Sequence, residues 1–236
     1  MTLLEVSGLH AHYGKSHVLH GVNLAIPDGA IVSLLGRNGS GRSTTLKTIM
    51  GLVRPSAGAV RLAGTELAAR RPYDICRRGI GFVPEERLVF PNLTVEENLR
   101  MGIQPSPPGA HCWSIAEMYG YFPRLKERSS VRAGHLSGGE QQMLTICRSL
   151  LGNPRVLLID EPTEGLAPQI VDVVMEVILD IGRRGVAVLL VEQKLTIALK
   201  VAAEVLVMGH GEIVFRGTPE TLSDNPDVRR NWLEVA

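Results

Sequence analysis

A glycine-rich segment from Gly36 to Thr44 has the residue types and spacing of a phosphate-binding loop. It fits the pattern G-x-x-x-x-G-K-[ST], except that Arg42 stands at the lysine position. Glycines let backbone N–H groups approach a phosphate closely, and the helix expected after the loop adds partial positive charge. We therefore predict phosphate binding here, although this motif alone leaves a ligand-free glycine turn open. The loop residues are Gly36, Arg37, Asn38, Gly39, Ser40, Gly41, Arg42, Ser43 and Thr44.

An apolar run that ends in two acids, from Val156 to Glu161, indicates a buried strand with chemistry at its end. Asp160 is expected to hold Mg²⁺, through water, together with the Ser43 hydroxyl. Glu161 is expected to orient the water that attacks a γ-phosphate, or to accept its proton. Taken alone, this run leaves two solvated acids at a strand end as the alternative.

A third segment, Leu-Ser-Gly-Gly-Glu-Gln at 136–141, lies just before the acidic strand. With it, the chain resembles the ATP-binding subunits of ABC transporters over essentially its whole length. Residues 36–44 match the family's Walker A loop, 136–141 its signature and 156–161 its Walker B strand. The resemblance implies ATP and Mg²⁺ as cofactors, and an ATPase activity coupled to transport across a membrane.

The same resemblance implies further site residues. Tyr13 stands where the family stacks an aromatic ring on adenine, although an ordinary surface tyrosine is the alternative. Glu85 occupies the usual position of the Q-loop glutamine, and Gln193 that of the switch histidine. The implied catalytic residues are Glu161, Gln193 and Glu85, and the implied Mg²⁺ ligands are Ser43, Glu85 and Asp160. Ser137, Gly138, Gly139 and Glu140 are implied to bind the ATP that a second subunit holds.

Three local features resemble, within this family, the LivF-type subunit of uptake systems for branched-chain and other hydrophobic amino acids. They are Val-Pro-Glu at 83–85 before an Arg-x-x-Phe-Pro segment at 87–91, Glu-Gly-Leu-Ala-Pro at 164–168 and Val-Glu-Gln at 191–193. Cassettes for urea, short amides or a lipid remain alternatives. The implied partners are integral membrane permease subunits, a second ATPase subunit in a head-to-tail homo- or heterodimer, and a solute-binding protein.

The arginine in the phosphate loop leaves two outcomes open. Arginine keeps the charge of lysine but is larger, planar and forked. Either small shifts of the loop accommodate Arg42, or hydrolysis is impaired and the chain is a regulatory nucleotide-binding subunit. If a partner ATPase keeps the lysine, the site built on this chain's loop is expected to be the slower one. Gln193 does not titrate near neutral pH, so we expect no step in the pH–rate profile from this position.

Buried strands that alternate with helices predict an α/β fold, namely a P-loop NTPase core with a mixed, mainly parallel sheet. Apolar residues at 22, 24 and 26 predict an antiparallel N-terminal β part. Residues 1–89 and 136–236 are assigned to the core, and 90–135 to a small helical subdomain that leads into the signature. Capping-box patterns at 94–97 and 137–140 predict helix starts, and residues 104–110 are expected to break regular structure.

The composition argues against several other classes of protein. Lys and Arg total 25 and Asp and Glu 24, so a net charge of +1 gives no reason to expect nucleic acid as a partner. No apolar run approaches the ~18–20 residues that span a bilayer. The first residues also lack a signal-peptide pattern. We therefore expect a cytoplasmic chain that permease subunits hold at the inner face of the membrane.

The cysteines and histidines show no sequence pattern of a metal site or a disulfide framework. Cys76, Cys112 and Cys147 are far apart, and all three are expected to fill core space. Four histidines fall between residues 10 and 20. Their spacing is not expected to place three on one strand face with a metal geometry, so solvated strand and loop positions are predicted.

Overall fold

The structure is a computed structural model that describes residues 1–106 and 111–233. Within these residues the chain forms two sheets, and helices pack against the larger one. The predicted break at 104–110 has no helix or strand through residue 106, and its remaining residues lie outside the described part. The strands are β1 (Thr2–Tyr13), β2 (Ser16–Pro27), β3 (Ile31–Gly36), β4 (Pro55–Leu62), β5 (Thr65–Glu66), β6 (Ile80–Val83), β7 (Val156–Asp160), β8 (Ala187–Glu192), β9 (Glu204–Gly209) and β10 (Glu212–Gly217). The helices are α1 (Arg42–Ile49), α2 (Pro72–Arg77), α3 (Val95–Gly102), α4 (Ile115–Tyr121), α5 (Pro123–Glu127), α6 (Gly138–Leu150), α7 (Pro168–Arg183), α8 (Leu195–Val201), α9 (Pro219–Ser223) and α10 (Pro226–Trp232), with a 3₁₀ turn at Ala133–His135.

The larger sheet has the strand order β10-β9-β3-β8-β7-β6. Its pairs are parallel except for the β9–β10 hairpin, which confirms the predicted mixed, mainly parallel sheet. Every residue of β3, β7 and β8 is buried, as their apolar sequences require, because both faces of the sheet are covered. The carboxyl ends of these three neighbouring strands therefore meet at one edge, at Gly36, Asp160 and Glu192.

The smaller sheet has the order β2-β1-β4-β5 and is antiparallel throughout. Val22, Leu24 and Ile26 are buried on one face of β2, which confirms the predicted antiparallel β part. These side chains pack with those of α1 and of one face of the larger sheet in a shared core. The pairing of β1 with β2 contains several register shifts, including one between Leu9 and His10 and one between Ala11 and His12.

The described residues between 90 and 135 contain α3, α4, α5 and the 3₁₀ turn. Both predicted capping boxes are present, at Thr94 before α3 and at Ser137 before α6. The apolar side chains of α3 to α5 join those of α6 and α7 in one core, so this segment packs directly on the helix that follows the signature. The boundaries of a helical subdomain at 90 and 135 stay a prediction.

The cysteines differ from their predicted placement. Cys147 lies on the buried face of α6, but Cys76 and Cys112 are exposed. The expectation that all three fill core space was wrong for these two, because Cys76 lies in the short helix α2 and Cys112 in the segment before α4, both at the surface. Within the described residues, no helix has the length and hydropathy needed to cross a bilayer.

Candidate nucleotide-binding site

The glycine-rich loop connects the end of β3 to the first turn of α1. Gly36 cannot be replaced without a backbone shift, since a Cβ there would lie 2.5 Å from the carbonyl oxygen of Met208. Gly41 caps α1 with a φ of 109°, a left-handed conformation that favours glycine. The N–H groups of the first turn have no acceptor within the helix. Loop and helix start thus form a cradle of backbone donors for an anion.

The Arg42 side chain is buried and turns into the protein. Its Nη1 donates to the carbonyl oxygen of Glu192 at 2.9 Å, and its Nη2 to Asn38 Oδ1 at 3.1 Å. The same Nη2 lies 2.8 Å from Glu161 Oε1 in an ion pair. The forked guanidinium therefore satisfies three protein acceptors at once, which a single ammonium group could not do in this geometry.

The two acids that end β7 lie next to this loop. Ser43 Oγ donates to Asp160 Oδ1 at 3.1 Å, which joins the two expected Mg²⁺ ligands. Burial raises the pKa of Asp160 to about 6, because the interior disfavours the charged carboxylate. Glu161 follows with a φ of 44°, a rare conformation for a non-glycine residue, and its N–H is held by the Val191 carbonyl oxygen at 3.0 Å. Gln193 donates a hydrogen bond to the other carboxylate oxygen of Glu161.

Three acids converge at the open side of the loop. Carboxylate oxygens of Glu85, Glu161 and Glu164 all lie within 4.8 Å of one another. Burial and the neighbouring acids raise the pKa of Glu85. Oxygen donors of this kind suit Mg²⁺, so the residues present fit this ion. Glu164 was missed by sequence reasoning; its position three residues after Glu161 was the available signal.

These groups line one cavity of about 490 Å³, and Tyr13, which is half-exposed, forms part of its wall. The structure thus brings together residues from the β1–β2 turn, the phosphate loop, and the segments that follow β6, β7 and β8. Asp160 is buried beside the cavity, against Ser43. The lining residues are Tyr13, Val18, Asn38, Gly39, Gly41, Arg42, Ser43, Thr44, Glu85, Glu161, Glu164 and Gln193.

Two members of the loop face elsewhere. Arg37 is exposed and donates from Nη2 to the carbonyl oxygen of Arg230 at 3.1 Å, which connects the loop to α10. Ser40 is buried beside Gly36, and its hydroxyl has no hydrogen-bond partner among the described residues. Neither side chain lines the cavity, so nucleotide binding by these two positions, which the sequence predicted, would have to use their backbone N–H groups and stays a prediction.

The signature residues do not line this cavity. Ser137 accepts from the Glu140 N–H, and Glu140 Oε2 accepts from the Ser137 N–H at 2.8 Å, which forms the cap of α6. Glu140 also accepts two hydrogen bonds from Arg128, at 3.0 and 3.1 Å. The buried Glu140 carboxylate therefore bonds to Ser137 and Arg128 within the protein. This favours a role in holding the start of α6 in place over the direct nucleotide contact that was expected.

Arg87 is a second residue to which the sequence analysis assigned no role in the site. Its Nη2 donates to the carbonyl oxygen of Glu164 at 2.6 Å. Its Nη1 lies directly over Gly138, where a Cβ would be only 2.2 Å away. Arg87 thus connects the cavity's acidic side with the signature and covers the start of α6. The sequence marked this arginine only as the start of the Arg-x-x-Phe-Pro segment at 87–91, which gives no indication of its contact with the signature.

Comparison with known proteins shows the family of this chain. A family profile described as "ABC transporter" matches residues 19–164, and the chain belongs to this family. The fold agrees, because a crystal structure of a nucleotide-free ATP-binding cassette from an ABC transporter superposes with a TM-score of 0.80. That cassette is 27% identical, and the match covers 95% of this chain and 94% of the cassette.

Two relatives indicate the branch of the family. The high-affinity branched-chain amino acid transport ATP-binding protein BraG of Pseudomonas aeruginosa is 43% identical, with 98% of this chain and 99% of the relative covered. The probable branched-chain amino acid transport ATP-binding protein LivF of Archaeoglobus fulgidus is 34% identical, with 94% and 95% covered. The resemblance to LivF-type subunits and the predicted P-loop NTPase fold are confirmed.

Proposed function

We propose that this chain binds and hydrolyses ATP with Mg²⁺, and that it powers import of branched-chain or other hydrophobic amino acids through separate permease subunits. The observation that carries the proposal is the meeting of Ser43, Asp160 and Glu161 beside the backbone cradle of the phosphate loop. The two relatives described above, both named for branched-chain amino acid transport, support the choice of cargo.

The residues divide the chemistry between them. Backbone N–H groups of the phosphate loop bind the ATP phosphates, and Tyr13 stacks on the adenine. Ser43 and Asp160 hold Mg²⁺, with Glu85 close by, and the bound ion neutralises phosphate charge. Glu161 orients the attacking water and accepts its proton, and the Gln193 amide keeps this carboxylate in place. Arg42 must leave Glu161 before that carboxylate can serve the water.

A second subunit completes the site. The signature of this chain lies outside its own cavity, so Ser137, Gly138 and Gly139 can serve an ATP bound by a partner once Arg87 moves away from Gly138. We infer a head-to-tail pair of ATPase subunits, homo- or heteromeric, in which the start of α6 meets the partner's γ-phosphate. ATP then favours the closed pair because it contacts both subunits, and hydrolysis removes that link.

The membrane partner has a candidate contact surface. Four exposed apolar side chains flank or belong to α3. Leu88 and Phe90 precede this helix, Met101 lies in its last turn, and Ile103 follows it. Exposed apolar side chains at one place commonly mark an interface. We infer that permease subunits dock here, beside the segment 90–135, and hold the chain at the inner face of the membrane. A solute-binding protein supplies the cargo on the opposite side.

Phosphate release by the purified chain tests the enzymatic half of the proposal. Wild type is expected to release phosphate only with Mg²⁺, and Glu161→Gln, which keeps the side chain's shape, is expected to be slower by at least ~100-fold while still binding ATP. Equal rates in the two proteins would refute the assignment of Glu161.

Uptake tests the cargo. Cells that lack this chain are expected to recover leucine uptake with wild type but not with Glu161→Gln, and urea uptake is expected not to change. Recovery of urea uptake without leucine uptake would keep the ATPase assignment but replace the cargo.

A further inference from the structure

Four histidines form a contiguous group on the β1–β2 hairpin, here called the histidine cluster: His10, His12, His17 and His20. Ring centroids lie 4.1 Å apart for His12 and His17, 3.9 Å for His17 and His20, and 5.2 Å for His10 and His17. His10 Nδ1 lies 3.1 Å from His17 Nε2. Solvated positions were predicted for these histidines, with no three on one strand face in a metal geometry, and His12, His17 and His20 are indeed exposed. The rings nevertheless contact one another, because register shifts near His10 and His12 change which side of the ribbon each ring occupies.

We propose that the histidine cluster binds one divalent transition-metal ion of the kind that prefers imidazole ligands, with Zn²⁺ as the ion to test. Two nitrogens bound at ~2.0–2.1 Å to one tetrahedral zinc ion lie about 3.3 Å apart, and the nitrogens of His10 and His17 already have nearly this separation. This pair is the preformed part of the site. His12 is stacked on His17, and His20 lies against His17 at a 43° tilt; both are exposed. Within the described residues, no third histidine nitrogen lies within 4.8 Å of this pair, so the third ligand requires rotation of the His12 or His20 side chain.

A neighbouring side chain orients one of the rings for this role. His12 Nδ1 lies 3.1 Å from Ser56 Oγ on β4, so a hydrogen bond there leaves Nε2 free to bind a metal. A partner of this kind fixes the tautomer of a ligating histidine and its orientation. His12 lies on β1, which is flanked by β2 and β4 and therefore pairs on both sides.

One glycine makes room for a ring of the cluster. A Cβ at Gly211 would lie 2.5 Å from His20 Cδ2. None of the four rings lines the nucleotide cavity, so the proposal is independent of the ATPase assignment.

The test is a calorimetric zinc titration of the full chain, purified without a polyhistidine tag and stripped of metal. Excess Mg²⁺ keeps the acids of the nucleotide cavity occupied, since Mg²⁺ prefers oxygen ligands. We expect one zinc ion per chain and a higher unfolding temperature with zinc. His17→Gln is expected to weaken binding by at least ~10-fold, and His10→Gln/His17→Gln to abolish it. Ser56→Ala, which removes only the partner of His12, is expected to weaken it by up to ~10-fold.

Two controls separate the cluster from other ligands. His135→Gln, a histidine next to the signature, is expected to bind zinc as wild type does. Cys76→Ser/Cys112→Ser removes the exposed thiols and is expected to keep the ion. Unfolding in metal-free buffer shows whether each variant is folded. Zinc binding that survives in His10→Gln/His17→Gln, disappears with the cysteines, or is absent from wild type would overturn the proposal.

Discussion

Arg42 and Glu161 form a buried ion pair, with 2.8 Å between Nη2 and Oε1 and with side chains only 4% and 7% exposed. The pair joins the arginine of the phosphate loop to the carboxylate expected to activate water. A carboxylate oxygen held by a guanidinium is not available to accept a proton from that water. Turnover therefore requires Arg42 to exchange Glu161 for the nucleotide phosphates, and a slow exchange would limit the rate.

Arg42→Lys tests this exchange. Lysine cannot reach Asn38, Glu161 and the Glu192 carbonyl oxygen together, so the empty chain is expected to lose roughly 1–3 kcal/mol of unfolding free energy. Phosphate release is expected to rise about tenfold, which corresponds to ~1.4 kcal/mol in the barrier. Phosphate release and urea unfolding measure the two effects.

Arg37→Lys is the matched control, because Arg37 lies in the same loop but is exposed and donates toward α10. Arg37→Lys is expected to leave both the rate of phosphate release and the unfolding free energy nearly unchanged. An Arg42→Lys protein with unaltered turnover would mean that the arginine is tolerated and that its release does not limit the rate.

Asp160→Asn tests the cost of a buried charge. The folded-state pKa of Asp160, about 6, lies above the ~3.9 of an unfolded aspartate. The stabilising contribution of Asp160 to the unfolding free energy is therefore fully present below pH ~3.9 and is lost as pH rises through about 6. At pH 8 the neutral amide is therefore expected to raise the unfolding free energy of the empty chain by about 1–3 kcal/mol, with a smaller gain at pH 4.

Urea unfolding at the two pH values measures this gain, and Asp172→Asn on the exposed face of α7 is the control. With Mg²⁺ and ATP present, wild type is expected to become more stable than Asp160→Asn, because wild type keeps its metal ligand and gains stability from binding. A variant that is less stable than wild type at pH 8 without ligand would contradict the assigned effect of burial.

Gln193→His tests whether the switch position controls pH dependence. The amide of Gln193 donates to Glu161 at any pH, so wild type is expected to lack a step in the pH–rate profile from this residue. Histidine titrates near pH ~6.5, and the variant is expected to acquire a step there. A wild-type step that disappears in Gln193→Ala would contradict this expectation.

Arg87→Ala tests the contact that covers the signature. A phosphate oxygen cannot approach Gly138 while Arg87 Nη1 occupies that space. Its removal is expected to strengthen ATP-dependent pairing several-fold in a Glu161→Gln background, where hydrolysis is blocked, and to leave nucleotide binding by the single chain unchanged. Analytical ultracentrifugation with ATP measures pairing.

Arg132→Ala, an exposed arginine just before the signature, is the control for loss of positive charge. Weaker pairing in Arg87→Ala, but not in Arg132→Ala, would show instead that Arg87 binds the partner's phosphate.

Local sequence patterns were sufficient to predict the family, the mixed sheet and the two capped helices. The phosphate loop, the signature and the acidic strand are each contiguous, and the geometry of each depends mainly on its own residues and on the element that precedes or follows it. The capping boxes at Thr94 and Ser137 are of the same kind, because the two groups that satisfy each other are three residues apart. Such features are readable without the rest of the fold.

The sequence by itself therefore determined which segments carry nucleotide chemistry and in which class of fold they lie. Only the tertiary structure decided that Arg42 holds Glu161, that Arg87 covers Gly138, and that four histidines meet on one hairpin face. These relationships depend on the directions of side chains from distant segments and on register shifts between strands. A one-residue shift moves a side chain to the other face of a sheet, and no composition or spacing rule specifies where such a shift occurs.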